Sequence, residues 1–187
     1  MATQAVLERP LPHNLDAERS ILGAILLDNH ALDLASEKLR PEEFFLDQHR
    51  RIYERMVVLR EVQQAIDLVT LTDELARYGE LEAAGGAAYL AQLVDGVPRV
   101  SNVEHYARIV REKALLRNLV HTAHSIQQKA LEAEEGADDL LDNAESQIFQ
   151  LAEERIRTGF VGVKDVVKES FERLHRIRLG VTTARHF

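Results

Sequence analysis

SNVEHYARIVREKALLRNLVHTAHSIQQKALEAEE, residues 101–135, contains neither glycine nor proline. Ser101 and Glu104 make a capping-box pair, in which each side chain can satisfy a free N–H of the first helical turn. A helix of roughly 34 residues at about 1.5 Å per residue is about 50 Å long, more than the ~30 Å diameter of a small domain, so it is expected to protrude. Its apolar residues Val103, Ala107, Val110 and Ala114, then Leu116, Leu119, Ala123, Ile126 and Ala130, alternate in steps of three and four, the mark of a packing seam. Gly136 turns the chain, and Leu141, Ala144, Ile148 and Leu151 repeat the spacing, which predicts an antiparallel helical hairpin over residues 101–155.

Two helices cannot cover each other on all sides, and a further strip is left over: Ile109, Val120, Leu131, Leu140 and Phe149. Burying about six such side chains at ~1.5 to 3 kcal/mol each gives on the order of 10 kcal/mol gross, before the cost of association. Leu119, Val120, Ile126, Ile148 and Phe149 are therefore the expected oligomer interface. The plainer alternative is that the hairpin folds back on the body of the protein and these residues are ordinary core.

Working outward toward the N-terminus, the fold class is all-α. Residues 1–13, with Pro10 and Pro12, read as an irregular arm, and residues 14–100 as a compact bundle of short helices. Asn14 is a good N-cap for a helix through Leu27, with Leu15, Arg19, Leu22 and Leu26 on one face, widened by Ile21, Ala24 and Ile25. Asn29 is placed to cap a short helix over His30 to Lys38, which Arg40-Pro41 breaks before the anchors Phe44 and Phe45. Asp47 is placed to cap a helix through Arg60, with Ile52, Met56 and Leu59 inward and Arg50, Arg51 and Arg55 in solvent. Asp67 begins the next, with Val69, Leu71, Leu75 and Tyr78 before a stop at Gly79. Gly85-Gly86 introduces a helix carrying Tyr89, Leu90 and Leu93 that Gly96-Val97-Pro98 ends.

Toward the C-terminus, residues 156–164 read as a flexible linker and residues 165–179 as a separate amphipathic linker helix. Val167, Phe171 and Leu174 form its apolar side, which is expected to pack on another subunit or domain. Residues 180–187 form a tail. The chain has 187 residues and a formal charge of −8, unevenly spread. From Arg155 onward eight Lys or Arg face three Asp or Glu, a balance of +5, which leaves −13 on residues 1–154. An acidic body argues against gripping phosphate backbones unaided, and a basic tail leaves room for a helical DNA-binding regulator as the alternative function.

Several chemistries are excluded or weakly supported. There is no cysteine, hence no disulfide, thiolate zinc site or cysteine nucleophile. No glycine precedes a lysine, so no phosphate-cradling P-loop exists. His121 and His124 could share a helical face, but a metal needs a third ligand. The clusters Glu42-Glu43, Glu132 to Glu135 and Asp138-Asp139 fit solvated helix ends better than a dry acid/base cleft. The segment from Asp67 to Leu93 has helix-turn-helix spacing, yet Asp73, Glu74, Glu80 and Glu82 have the wrong sign for entering a groove. No catalytic residue, metal ligand or cofactor-binding residue is expected. Ile21 to Leu27, the longest apolar run, is too short to span a membrane.

Five strings then point to one family: Pro12-His-Asn-Leu-Asp-Ala-Glu18, Leu22-Gly-Ala-Ile-Leu-Leu-Asp28, Asp67-Leu-Val-Thr-Leu71, Gly85-Gly-Ala-Ala-Tyr-Leu90 and Tyr106-Ala-Arg-Ile-Val-Arg-Glu-Lys113. With Val163 to Glu172 in the linker region, they resemble the N-terminal domain of the bacterial replicative DNA helicase, the DnaB family, over about residues 12 to 182. The resemblance implies a cytoplasmic bacterial protein of the primosome. Family members are ring hexamers that use ATP and Mg to unwind DNA at the replication fork. Their N-terminal domains pair through the hairpin into a collar that docks primase, with a helicase loader as a further partner and DNA engaged by the whole ring. Asp16 and Tyr89, within matching motifs, are the candidates for partner docking. The chain stops where the family continues into its motor, so it is expected to oligomerise and bind partners without hydrolysing ATP.

Overall fold

The computed structural model describes residues 10–95, 102–132 and 136–157. Among them are seven α-helices and one 3-10 turn, with no strand. They are α1 (Leu15–Leu27), α2 (His30–Ser36), the turn Pro41–Glu43, α3 (Asp47–Glu61), α4 (Leu68–Arg77), α5 (Gly86–Asp95), α6 (Val103–Glu132) and α7 (Ala137–Arg157). The chain divides into two compact units, residues 1–148 and 149–187; of the second, only the last turns of α7 are described.

Helix α1 is the centre of the first unit, packing on α2, α3, α5 and α6, while α4 bridges α3 and α5. Asn14 caps it as expected, its Oδ1 accepting from Ala17 N–H at 3.0 Å. Of the expected face, Ile21, Leu22, Ala24 and Ile25 are buried and Leu15 and Leu26 half-buried, whereas Arg19 is exposed and Ala17 is buried besides. A helix packed on four neighbours buries more than a single stripe.

Two caps differ from expectation. The side chain of Asn29 makes no cap for α2; it clamps the backbone of Ile66, accepting from Ile66 N–H at 2.8 Å and donating to Ile66 O at 2.6 Å. Asp28 caps instead, its Oδ1 accepting from His30 N–H at 3.0 Å. Asp47 is the first residue of α3 rather than its cap, and its carboxylate pairs with Arg50 and Arg51. Asp67 behaves as read: its Oδ1 accepts from Val69 and Thr70 N–H, and Thr70 Oγ1 accepts from Asp67 N–H.

In α4, Leu71 and Leu75 are buried but Val69 and Tyr78 are exposed. Tyr78 instead carries the Arg55 guanidinium 3.9 Å above its ring, and Arg55 and Arg51 both donate to Glu80. Arg51 and Arg55 are thus fastened to the end of α4 and not left in solvent, because a long stem covers apolar surface while its head stays paired. Gly79 has φ +70 and ends α4, with Glu80 N–H donating to Leu75 O at 2.8 Å across the turn.

Helix α6 belongs partly to this core. Val103, Ala107, Val110, Ala114 and Arg117 are buried in steps of four and three, and no described residue of α6 beyond Arg117 is buried. Lys129 Nζ donates to Asn143 Oδ1 at 3.4 Å, a side-chain contact between α6 and α7. The expected capping residue Ser101, the stop at Gly96-Val97-Pro98, and the linker helix with Val167, Phe171 and Leu174 lie outside the described residues.

Candidate functional site: the outer hairpin face and the buried polar cluster beneath it

Two features stand out from the apolar core. The first is the hairpin. Of the expected seam of Leu116, Leu119, Ala123, Ile126 and Ala130 against Leu141, Ala144, Ile148 and Leu151, the residues Ile126, Ala144 and Leu151 are half-buried and the rest exposed. On α6 the half-buried positions after Arg117 are Thr122, Ser125, Ile126 and Lys129; on α7 they are Leu140, Asn143, Ala144, Gln147 and Leu151. Both sets keep the helical spacing and overlap the expected one at Ile126, Ala144 and Leu151, with the other half-buried positions beside it. The inner seam is therefore mixed and partly polar, with Gln147 also donating to Asn143.

The large apolar groups turn the other way. Leu119 and Val120 are each 46% exposed, Ile148 44% and Phe149 62%, with Leu116, Leu131 and Leu141 also exposed. Of the five expected interface residues, Ile126 alone lies at the inner seam. From the second strip, Val120, Leu131 and Phe149 are exposed as read, while Ile109 packs against the core and Leu140 is half-buried. Positions 116, 119, 120 and 123 recur at i, i+3, i+4 and i+7, so the outer surface of α6 is one apolar stripe.

The second feature, absent from the sequence reading, lies where α6 leaves the core. Glu18 is 1% exposed. Its Oε1 accepts from Phe45 N–H at 2.8 Å, and its Oε2 lies 2.6 Å from Nδ1 of fully buried His49. Nε2 of His49 meets the Tyr89 hydroxyl at 2.5 Å. Buried Arg117 donates to Pro12 O at 2.8 Å and Glu43 O at 2.5 Å, with its guanidinium 5.5 Å from the Phe45 ring, on which His13 stacks at 4.5 Å. Burial lowers the Arg117 pKa, against the attraction of Glu18 and Glu43. Desolvation raises that of Glu43. No buried side-chain polar atom among the described residues lacks a partner.

A signal for this cluster was present. Glu18 shares a face with Ile21, Leu22 and Ile25; His49 with Ile52, Tyr53 and Met56; and Arg117 continues the step from Val103 to Ala114. A polar residue at an inward register position must either be satisfied inside or distort the helix. The two docking candidates separate: Asp16 is exposed on α1, while Tyr89 is half-buried and bonded into the cluster. His121 and His124 are exposed, and among the described residues no group of His, Asp or Glu is arranged to hold a metal. No helix among them is long and apolar enough to cross a membrane.

Comparison with known proteins fits this architecture. A family model described as DnaB-like helicase N terminal domain matches residues 10–112. The replicative DNA helicase DnaC of Bacillus subtilis is 39% identical over 175 residues, covering 94% of this chain and 38% of the relative. The chain thus spans less than half the length of that relative. The crystal structure of the N-terminal domain of DnaB helicase from Mycobacterium tuberculosis superposes with a TM-score of 0.72 at 38% identity, covering 75% of this chain and 99% of that one. A structure described as a DnaB-like replicative helicase and its interactions with primase shares the fold, with a TM-score of 0.61 at 20% identity over 87% of this chain and 35% of that one. Since the family match takes in α1 to α5 and the root of α6, and the relatives extend it through the hairpin, the chain belongs to the DnaB-like helicase N-terminal domain family.

Proposed function

We propose that this chain is the self-associating, partner-docking N-terminal region of a replicative ring helicase, and that the hairpin of α6 and α7 is its contact with a second copy. The observation that supports this is the apolar outer face of the hairpin. Leu116, Leu119, Val120, Leu141 and Ile148 face outward while Thr122, Asn143 and Gln147 sit at the inner seam. In an isolated hairpin that distribution exposes large apolar groups and half-buries polar ones. Against a second hairpin the outward stripes become the core of a four-helix arrangement, and the stabilisation is of the order of 10 kcal/mol for about six large side chains before association costs.

ATP-driven unwinding of DNA belongs, in this reading, to the longer protein of which such a region is part. Primase docks on the assembled collar, as the interactions described for the related helicase suggest, with exposed Asp16 and the α5 face around Tyr89 as the contact. Light scattering over a concentration series tests the self-association. The wild-type chain should form dimers or larger rings, and Val120→Asp with Ile148→Asp should reduce the mass to the monomer while circular dichroism stays helical. A wild-type monomer at all concentrations would overturn the reading. Binding of a primase C-terminal domain, lost in Asp16→Lys, tests the docking.

A further inference from the structure

We propose that residues 11–13 form a strap that locks the root of the hairpin through Arg117, so that the hairpin associates most readily when the strap is seated. The association half of this inference rests on the hairpin reading above; the strap itself does not.

The need for a tie follows from where α6 stops being held. Val103, Ala107, Val110, Ala114 and Arg117 are its buried residues, and none of its described residues beyond Arg117 is buried. Residues 118–132 therefore make a lever of about 20 Å whose direction is set at its root. Four of the five buried side chains are valine or alanine. The one long reach among them from α6 into the bundle is that of Arg117.

Arg117 divides its fork between two segments. Nη2 donates to Glu43 O in the 3-10 turn at 2.5 Å, and Nη1 donates to Pro12 O at 2.8 Å. The first partner belongs to the bundle and the second to the arm that leads into α1. A planar guanidinium holds its donors at fixed angles, so a shift of either carbonyl is felt at the other and at α6.

The seat is fixed from beneath, and the strap is not. Phe45 N–H donates to the carboxylate of buried Glu18 at 2.8 Å, which fastens Phe45 to α1. On that ring His13 stacks, with 4.5 Å between centroids and 14° between planes, and the Arg117 guanidinium lies 5.5 Å from the same ring. His13 Nδ1 donates to Leu11 O at 2.7 Å, which orients the imidazole for the stack. By contrast, Pro10 is exposed and Leu11, Pro12 and His13 are only half-buried. Pro12 has no N–H to add a bond, and the residue before a proline is kept out of the helical region, so the strap is not absorbed into α1 as another turn. Held by one carbonyl and one ring instead of by apolar burial, it can leave its seat while the bundle stays folded. By linkage, whatever restrains the hairpin also favours the seated strap, and the reverse.

Hydrogen exchange of the full 187-residue chain tests the lock. Pro12→Gly with His13→Ala removes the stack and the stiffness of the strap while leaving the Asn14 cap of α1 in place; His13→Phe keeps a ring on Phe45. In wild type the amides of residues 114–121 should exchange faster than those of residues 21–25, by openings short of global unfolding. In the double variant they should exchange about tenfold faster still, and in His13→Phe at close to the wild-type rate. Root amides that open only with the core in wild type, or that keep their rate in the double variant, would overturn the strap. Light scattering tests the consequence: the double variant should raise the dissociation constant of self-association at least about twofold. An unchanged constant in a chain whose root exchanges faster would overturn the control of association. A wild-type monomer at every concentration would end the hairpin reading and the association half with it, while the exchange rates still decide the strap.

Discussion

Replacing Arg117 by alanine removes the last buried side chain of α6 before the hairpin leaves the core, and with it two hydrogen bonds to main-chain carbonyls, at 2.8 Å to Pro12 and 2.5 Å to Glu43. Hydrogen bonds to a charged donor contribute about 1.5 to 3 kcal/mol each, and there are two of them. The carbonyls regain some water once the side chain is gone, so we expect a loss of about 3 to 5 kcal/mol. At ~2 to 4 °C per kcal/mol for a domain of this size, the melting temperature should fall by roughly 6 to 20 °C. Urea unfolding followed by far-ultraviolet circular dichroism measures this, at one fixed protein concentration because association itself stabilises. Arg117→Lys should fall between the two, since a single ammonium cannot span both carbonyls with the fork of a guanidinium. If Arg117→Ala unfolds within about 1 kcal/mol of wild type, the polar cluster does not hold the root of the hairpin.

Gly85→Ala should cost about 1 to 3 kcal/mol by thermal denaturation, because φ is +94 and the new Cβ meets the Tyr89 ring; an unchanged melting temperature would show that α5 can shift to make room. Asp67→Ala should cost ~1 kcal/mol through loss of the α4 cap, read as the shift in urea midpoint. Glu80 has its pKa lowered, chiefly by the hydrogen bond from Arg55, so the stability it contributes is present above its ordinary 4.5 and is lost as pH falls through the lower folded value. Glu80→Gln should therefore flatten the acid limb of the stability curve below that pH, and a limb of unchanged slope would contradict the pairing. Ile126→Asp places a charge at the half-buried inner seam and should release α7, seen as faster hydrogen exchange over residues 137–148.

How much was legible can be judged from particular residues. Asn14 and Asp67 are legible as helix starts because a short polar side chain before an apolar run can reach the free N–H groups within three residues. The long glycine-free helix was legible for the same reason. Asn29 and Asp47 carried the same local signal and were drawn away from capping by Ile66 and by the arginines of α3. Their partners' positions depend on how helices pack.

The hairpin shows the division most clearly. Spacing by threes and fours established that 101–155 forms two amphipathic helices, since that period is a property of the backbone alone. It could not say which of two neighbouring stripes turns inward, because both have the same period and differ only by a rotation about the helix axis. Tertiary structure made that choice, burying Val103 to Arg117 against the bundle and so fixing the rotation of everything beyond. Glu18, His49 and Arg117 likewise stood at inward register positions in the sequence. Only the packing of α1, α3, α5 and α6 could bring three polar side chains from distant segments within hydrogen-bond reach of their partners, and a buried charge is tolerable only where those partners arrive together.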